Sequence, residues 1–503
     1  MRILILFQTV AGLGTTAFPT STTVPAAQEA FARGVLLLHV FEYPAAAAAF
    51  RDAQQLDSGL ALAYWGEAMT HTHPVWNEQD TDAARAILAR APEPRTERER
   101  GYLDAARVLY GEGPKARRDT LYALAMERLV ASQSSDDEAR LFYALALLGL
   151  SQGVRNVPTY LRAAAIAESV FARHPGHPGA AHYWIHGMDD PDHAAGALRA
   201  AGALAGIAPD AGHAQHMTSH IFVALGMWDD VVKANESAVH VAHARSCGHY
   251  SAFLHYGYLQ QGRLALARRV LTACRDQAAG SQPDPSRLDP DAYSFITMWS
   301  RHLLDTEDWS GAVARWPVDP GTSPGPRLSY WFTRGLQAAR QGDTAAAGRA
   351  LAAYVTAQEE VATRLMQGPD EPAPDDWEFL TRTVVLRHEL VGVVRGALDT
   401  LRMAAALEDS MPYAFGPPYV NQPAHELVGR ALLAAGKPTE AGQEYAVALR
   451  RTPRRTAALL GLARAAAAAG DRAAAERAYQ ALRMIWQNAD ADLPGLAQAR
   501  GTP

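Results

Sequence analysis

Apolar residues recur along this chain at spacings of three and four, the period of a helix with one buried face. Val and Ile never gather into the alternating runs that mark strands. The breaks between periodic segments repeat too. Gly226-Met-Trp-Asp-Asp-Val231 closes one helix with a glycine, places Trp228 at the turn and opens a second helix. The same grammar returns at Gly262-Arg-Leu-Ala-Leu-Ala267, Gly342-Asp-Thr-Ala-Ala-Ala347, Gly436-Lys-Pro-Thr-Glu-Ala441 and Gly470-Asp-Arg-Ala-Ala-Ala475. After these four glycines comes a large residue (Leu271, Leu351, Tyr445, Tyr479). A small one follows it (Cys274, Ala353, Ala448, Ala481), where a neighbouring helix can approach closely. The pattern predicts an all-α chain of antiparallel helix pairs.

The unit resembles the tetratricopeptide repeat (TPR), a helix-turn-helix of about 34 residues whose copies stack because no single copy can bury its apolar face. The resemblance implies an αα superhelix, a solenoid of helix pairs whose first helices line a concave wall. It also implies that bound groups meet side chains about six, ten and thirteen residues before the turn glycine. A degenerate first copy runs from about Ala27 to Ser58, with Phe41-Glu-Tyr43 at its turn. The chain then divides into N-terminal pairs over 27–92, an irregular helical segment over 93–175 and His-rich pairs over 176–280. Further pairs cover 281–410, a Pro/aromatic loop 411–422, final pairs 423–490 and a tail 491–503. Turn formers mark breaks at 280–285, 321–326 and 368–374.

Histidines fall on this frame in register. His213, His216 and His220 stand thirteen, ten and six residues before Gly226. His182 and His186 precede His216 and His220 by 34 residues each, so an H-x-x-x-H pair repeats at one TPR period. Residues four apart on a helix stand one turn above each other, about 5–6 Å between Cβ atoms, where two imidazoles can share one metal ion. Asp190 is expected to extend the stripe by a turn, with Asp189 beside it and His193 after Pro191. His249, thirteen before Gly262, matches His213 one repeat later. A lone histidine on such a wall is ordinarily solvated or bound to an anion. Six converging gain nothing from each other without an ion, and protonated they would repel. His240 and His243 read as surface residues and His255 as a packing residue. A second grouping of His39, Glu42, Glu67, His71 and His73, with Trp76 and Asn77 after a proline, is either the far edge of the same groove or a set of buried helix ends with local hydrogen-bond partners, the latter favoured. Tyr413-Ala-Phe-Gly-Pro-Pro-Tyr419 is too proline-rich for a helix and is either an aromatic lid or a connector, and Glu426 falls on a wall position.

Composition narrows the function classes. A net charge of −6 over 503 residues, without blocks of like charge, favours neither nucleic acid nor an acidic membrane surface. No run of 18 apolar residues argues for a membrane span. Arg2, the apolar run Ile3–Phe7 and the small residues around Val24-Pro25-Ala26 make residues 1–26 either an export signal or a disordered start, so export and cytoplasm stand level. The two cysteines, Cys247 and Cys274, fall at the start of one helix and the end of its partner, where a disulfide is conceivable. Their spacing is not that of a metal site.

Phe41-Glu-Tyr43, Ala63-Tyr-Trp-Gly-Glu-Ala-Met69, His182-Tyr-Trp-Ile-His186 with Asp189-Asp-Pro191, and His216-Met-Thr-Ser-His-Ile-Phe222 together resemble a group of bacterial TPR-repeat proteins, most with no assigned activity. That resemblance implies the repeat fold and the importance of the paired histidines, and no reaction. The residues point to a metalloenzyme on a TPR scaffold, with His182, His186, Asp190, His213, His216 and His220 as metal ligands and His249 and Asp189 as acid/base candidates. A nearly all-His set suits two copper ions with three ligands each; a His/His/Asp selection suits non-haem iron or a hydrolytic zinc. Scarce carboxylates tilt the reading to redox chemistry, copper or iron ahead of zinc, with a small molecule or peptide as substrate in the groove. The rivals are an adaptor that captures a peptide or protein partner, and a metal store or carrier.

Overall fold

The computed structural model describes residues 8–280, 289–367 and 372–501. Helices start where the sequence supplies a partner for the unpaired first N–H groups. Asp80, Thr96, Asp136, Asn156, Asp343 and Asp471 each accept from the backbone N–H three residues on. Pro25, Pro178, Pro290, Pro324 and Pro438 open helices in the first turn, where a missing N–H costs nothing. They stop where φ turns positive. Gly226, Gly262, Gly342, Gly436 and Gly470, the five repeat glycines, have φ between 66° and 83°. The fold is therefore all-α and TPR-like, a series of antiparallel helix pairs. The only strands among the described residues are two short hairpins, Gln8–Val10 with Gly14–Thr16 and Thr72–His73 with Glu78–Gln79. No helix among them is long and apolar enough to cross a membrane.

The chain forms two compact units: residues 1–221 with 240–242, and residues 222–239 with 243–503. The division falls inside the stretch 176–280 read from the sequence as one His-rich group.

In the first unit the pair Pro25–His39 and Tyr43–Leu56 packs face to face, and Gly34 and Gly66 make room for Phe50. A Cβ at either glycine would lie within 2.7 Å of its ring. Phe18, Phe31, Trp65, Tyr102 and Phe142 complete an aromatic core with ring centroids 4.9–6.4 Å apart. Residues 93–175, expected to be irregular, form two ordinary pairs: Glu97–Leu109 with Lys115–Ser132, and Asp137–Gly149 with Val157–Arg173. Their second helices, 18 and 17 residues long, break the repeat spacing without breaking the packing. The apolar run Ile3–Phe7 lies outside the described residues. From Gln8 onward the segment read as a leader or a disordered start is built into this unit. Thr15 N–H donates to the Gly176 carbonyl (2.9 Å), and Phe18 is 1% exposed.

The second unit continues the pairs from His249–Gln260 with Leu264–Gly280 to Thr456–Ala468 with Arg472–Ile485. Trp228 packs on Tyr256 and donates through its indole N–H to the Arg454 carbonyl (3.0 Å). The two cysteines, Cα atoms 4.6 Å apart, are joined in a disulfide within the core around Trp299 and Leu303. Of the expected breaks, 321–326 is a turn that leads into the helix Pro324–Arg340; 280–285 lies beyond Gly280 outside the described residues, as do 368–371 of the third.

Candidate metal centre

Five of the sequence-selected histidines meet in the first unit. The helix Pro178–Met188 carries His182 and His186 one turn apart, ring centroids 4.8 Å, and the helix Gly212–Ala224 carries His213, His216 and His220. His182 faces His213 at 5.1 Å, His186 faces His220 at 6.1 Å, and His216 lies between His213 (6.0 Å) and His220 (5.0 Å). All five are buried, His182 and His216 completely. Ligand nitrogens of His182, His186 and His213 lie within 4.8 Å of one another.

The hydrogen bonds of these rings decide what they offer. His182 Nδ1 is 2.6 Å from the His39 carbonyl, which only accepts, so Nδ1 carries the proton and Nε2 keeps its lone pair. That Nε2 has no hydrogen-bond partner, and neither nitrogen of His186 has one. Burial pushes His182 down to about 3 and His186 well below the usual imidazole range, the neighbouring imidazoles adding to the effect at both. Both rings are neutral at ordinary pH, the form that ligates metal. His220 Nδ1 is 2.7 Å from Asp189 Oδ2, and its Nε2 is 3.1 Å from His216 Nε2, an approach that needs one shared proton or one shared cation. A carboxylate behind one imidazole and a backbone carbonyl behind another are the supports that orient metal-bound histidines.

One ring completes the pocket that the sequence reading passed over. Phe41, at the first turn with φ 58°, lies 4.4 Å from His182, 5.8 Å from His186 and 5.4 Å from His213. Trp76 packs behind it at 5.5 Å and reaches His213 at 5.7 Å, while Glu42 accepts from the His213 backbone N–H (3.1 Å). Of the upstream group, read as buried helix ends or as the far edge of the groove, His39 and Glu67 are buried, while Glu42 and Trp76 lie against the cluster. Glu67 has Arg51 and Gln54 as local partners, and His73 has Glu78 and the Tyr43 ring.

One of the expected site residues, Asp190, is placed elsewhere, while a ligand nitrogen of His249 lies within 4.8 Å of those of His216 and His220. Asp190 was expected one turn beyond His186, but the helix ends at Met188. The Asp190 carboxylate instead binds Arg155 at 2.6 and 3.0 Å and His193 Nδ1 at 2.7 Å, a fully buried ion pair. His249 belongs to the second unit, where it opens the helix His249–Gln260 and packs edge-on against Phe253 at 4.9 Å. Asp189 is committed to His220. His255, read as structural, is buried against His302, Nε2 to Nδ1 3.2 Å. Glu426 is 3% exposed and paired with Arg455 Nε at 2.7 Å.

A second histidine group, His39, His177 and Glu138, has metal-like proximity but no free ring nitrogen. His39 Nδ1 accepts from the Tyr183 hydroxyl (2.9 Å) and Nε2 donates to Glu138 (2.8 Å). His177 Nδ1 caps its helix by accepting from Ala180 N–H (3.3 Å), so Nε2 donates to Glu138 (3.0 Å), which also takes the Thr16 hydroxyl. Burial works against the Glu138 charge, yet His177 and His39 hold its carboxyl well below the usual range. This is a satisfied buried network of the kind that fixes a core.

No family model and no curated protein matches the chain. Solved structures similar to it include the human IFIT1 dimer with m7Gppp-AAAA, 13% identical over 92% of this chain and 91% of that one, TM-score 0.35. A monomeric IFIT1 mutant with Gppp-AAAA is 12% identical over 93% and 92%, TM-score 0.35. Naa15/Naa10 bound to HypK-THB is 12% identical over 95% of this chain and 73% of that one, TM-score 0.25. Likeness of this degree carries no argument about ligand, partner or activity, and the fold assignment rests on the helix pairs themselves.

Proposed function

We propose that this TPR-like chain is a metal-binding protein whose first unit holds a transition-metal ion through His182, His186 and His213. The observation that carries the reading is the set of bare, buried nitrogens at His182 Nε2 and His186, in rings burial keeps neutral. A buried polar atom without a partner costs about 1–3 kcal/mol, and several in one pocket make sense when a ligand completes them. Imidazole donors suit copper, iron, nickel and zinc. Nitrogens at about 2.1 Å from an ion lie no more than about 4.2 Å apart, so uptake draws the three rings slightly together. His216 and His220, supported by Asp189, offer a second pair beside them.

A bound copper or iron would supply redox chemistry there, and a zinc ion a Lewis acid. This chain's own part is to keep His182 in one tautomer through the His39 carbonyl and to exclude water with Phe41 and Trp76. A second reading, a binding protein without turnover, draws on the repeat scaffold and on an aromatic cavity in the second unit. Elemental analysis of purified protein and of a His182→Ala/His186→Ala variant tests metal binding. Near-stoichiometric copper, iron, nickel or zinc, lost in the variant, supports it. Protein that stays metal-free after incubation with each ion and desalting overturns it. Oxygen-consumption and hydrolysis assays on the loaded protein then separate catalyst from carrier.

A further inference from the structure

The second unit contains a cavity of about 300 Å³, with His249 among the residues of its lining. Its body is apolar: Phe253, Leu328, Phe332, Phe379 and Leu386 contribute to the walls. The Pro/aromatic loop closes one side with Phe415, Pro417, Pro418 and Tyr419. The loop lies tight against the helix wall, since Gly416, φ 104°, leaves no room for a Cβ, which would fall 2.1 Å from the Phe253 ring. The sequence admitted a lid or a connector here; the loop is a wall.

Two arginines break the apolar surface. Arg301 is 8% exposed, and its Nη2 is spent on the loop, donating to the Pro418 carbonyl (2.8 Å) and Asn421 Oδ1 (2.5 Å). Its Nη1 is buried with no hydrogen-bond partner. Arg382 stacks on rings, 5.0 Å from the Phe379 centroid and 5.3 Å from that of Tyr419. Glu378, one turn before Arg382, forms no ion pair with it among the described residues, and one of its carboxylate oxygens is itself buried without a partner. A desolvated guanidinium ordinarily sits against a carboxylate, because an uncompensated buried charge is costly. Here the protein supplies aromatic faces and hydroxyls (Ser300, Thr383) around two cations; Asp305 acts on Arg301 and Glu378 on Arg382 through space, but neither carboxylate forms an ion pair with its arginine among the described residues.

We infer that this cavity binds a small organic carboxylate with an apolar or aromatic body, its carboxylate set between Arg301 and Arg382 and its body among the phenylalanine rings. The volume is at the lower end of ordinary small-molecule sites, roughly 300–1,000 Å³, so the ligand is an aryl- or acyl-carboxylate of modest size rather than a nucleotide. Planar donors favour a carboxylate over a neutral group by charge-assisted hydrogen bonds, typically about twice as strong as neutral ones.

Calorimetric titration of the full chain with 3-phenylpropionate and with its neutral isostere 3-phenylpropanamide tests this. One acid should bind per chain, at least about tenfold more tightly than the amide, the equivalent of about 1.4 kcal/mol. Arg382→Gln, which touches no backbone group of the loop, should remove most of that preference. Arg301→Lys, which keeps the charge but not the fork, should weaken the acid and leave the amide unchanged. A short peptide ending in phenylalanine, with free and with amidated C-terminus, separates a peptide source from a free acid. Binding of the peptide but not of 3-phenylpropionate overturns the small-molecule assignment. Equal affinity for acid and amide, undiminished acid binding in Arg382→Gln, or no binding of either probe overturns the site.

Discussion

Replacing His186 with leucine gives a test in which stability and function move in opposite directions. Both nitrogens of His186 are buried without a hydrogen-bond partner, so the metal-free protein bears their desolvation, about 1–3 kcal/mol for each unsatisfied group. Leucine of similar volume removes both groups. Against this stands the lost contact with the Phe41 ring at 5.8 Å, about 0.5–1.5 kcal/mol for a well-placed aromatic pair. The net expectation is a metal-free His186→Leu protein more stable by about 2 kcal/mol, or roughly 4–8 °C in the melting of a unit of this size. The parent should regain more than this on loading. An ion at a hundred times its dissociation constant stabilises by about 2.7 kcal/mol, and the variant should not respond. Differential scanning calorimetry of chelator-treated protein, with and without added copper or zinc, reads both effects. A metal-free variant that melts below the parent, together with a retained metal-induced shift, would refute the reasoning. It would mean that His186 is a core residue satisfied in another way.

Three further outcomes follow from buried charges and the disulfide. Arg155→Met should cost about 3–5 kcal/mol by stranding the Asp190 carboxylate, read as a fall in urea midpoint of the first unit. Opening the Cys247–Cys274 bridge, which spans 27 residues, should cost the second unit about 3.5 kcal/mol on the chain-entropy model, seen as a lower melting temperature in reductant with metal content unchanged. Burial raises Glu408 from 4.5 to about 7 and pushes Glu389 up as well. Because these folded-state values lie above the unfolded ones, the stability of the second unit should fall as pH rises from about 4.5 through 7, by about 3 kcal/mol for Glu408 alone. Glu408→Gln should flatten that slope in pH-dependent urea melts, and an unchanged slope would reject the assignment.

The histidine positions were legible because helical phase is a local property: a spacing of four and a repeat of 34 put five rings on two facing helices without any tertiary knowledge. Asp190 failed for a reason the sequence also contains. It precedes Pro191, and a residue before proline is turned away from helical conformation, so the stripe ends with His186 and the carboxylate is released to Arg155. His249 obeyed the same phase rule, and its ligand nitrogen lies within 4.8 Å of those of His216 and His220; the unit boundary inside the Gly212–Ala224 helix leaves no mark on periodicity. What periodicity could not report at all was solvation. The Pro25–His39 and Tyr43–Leu56 hairpin lies over 140 residues earlier, yet its turn delivers the His39 carbonyl to His182 and the Phe41 ring to three imidazoles. Those contacts, not the spacing, separate this cluster from the His39–Glu138–His177 network, which has two imidazoles and a carboxylate at similar distances with every ring nitrogen already engaged. Proximity of imidazoles is therefore a weak criterion. The discriminating one is whether the protein has withheld a proton donor from a buried nitrogen that it could have satisfied, and at His182 and His186 it has.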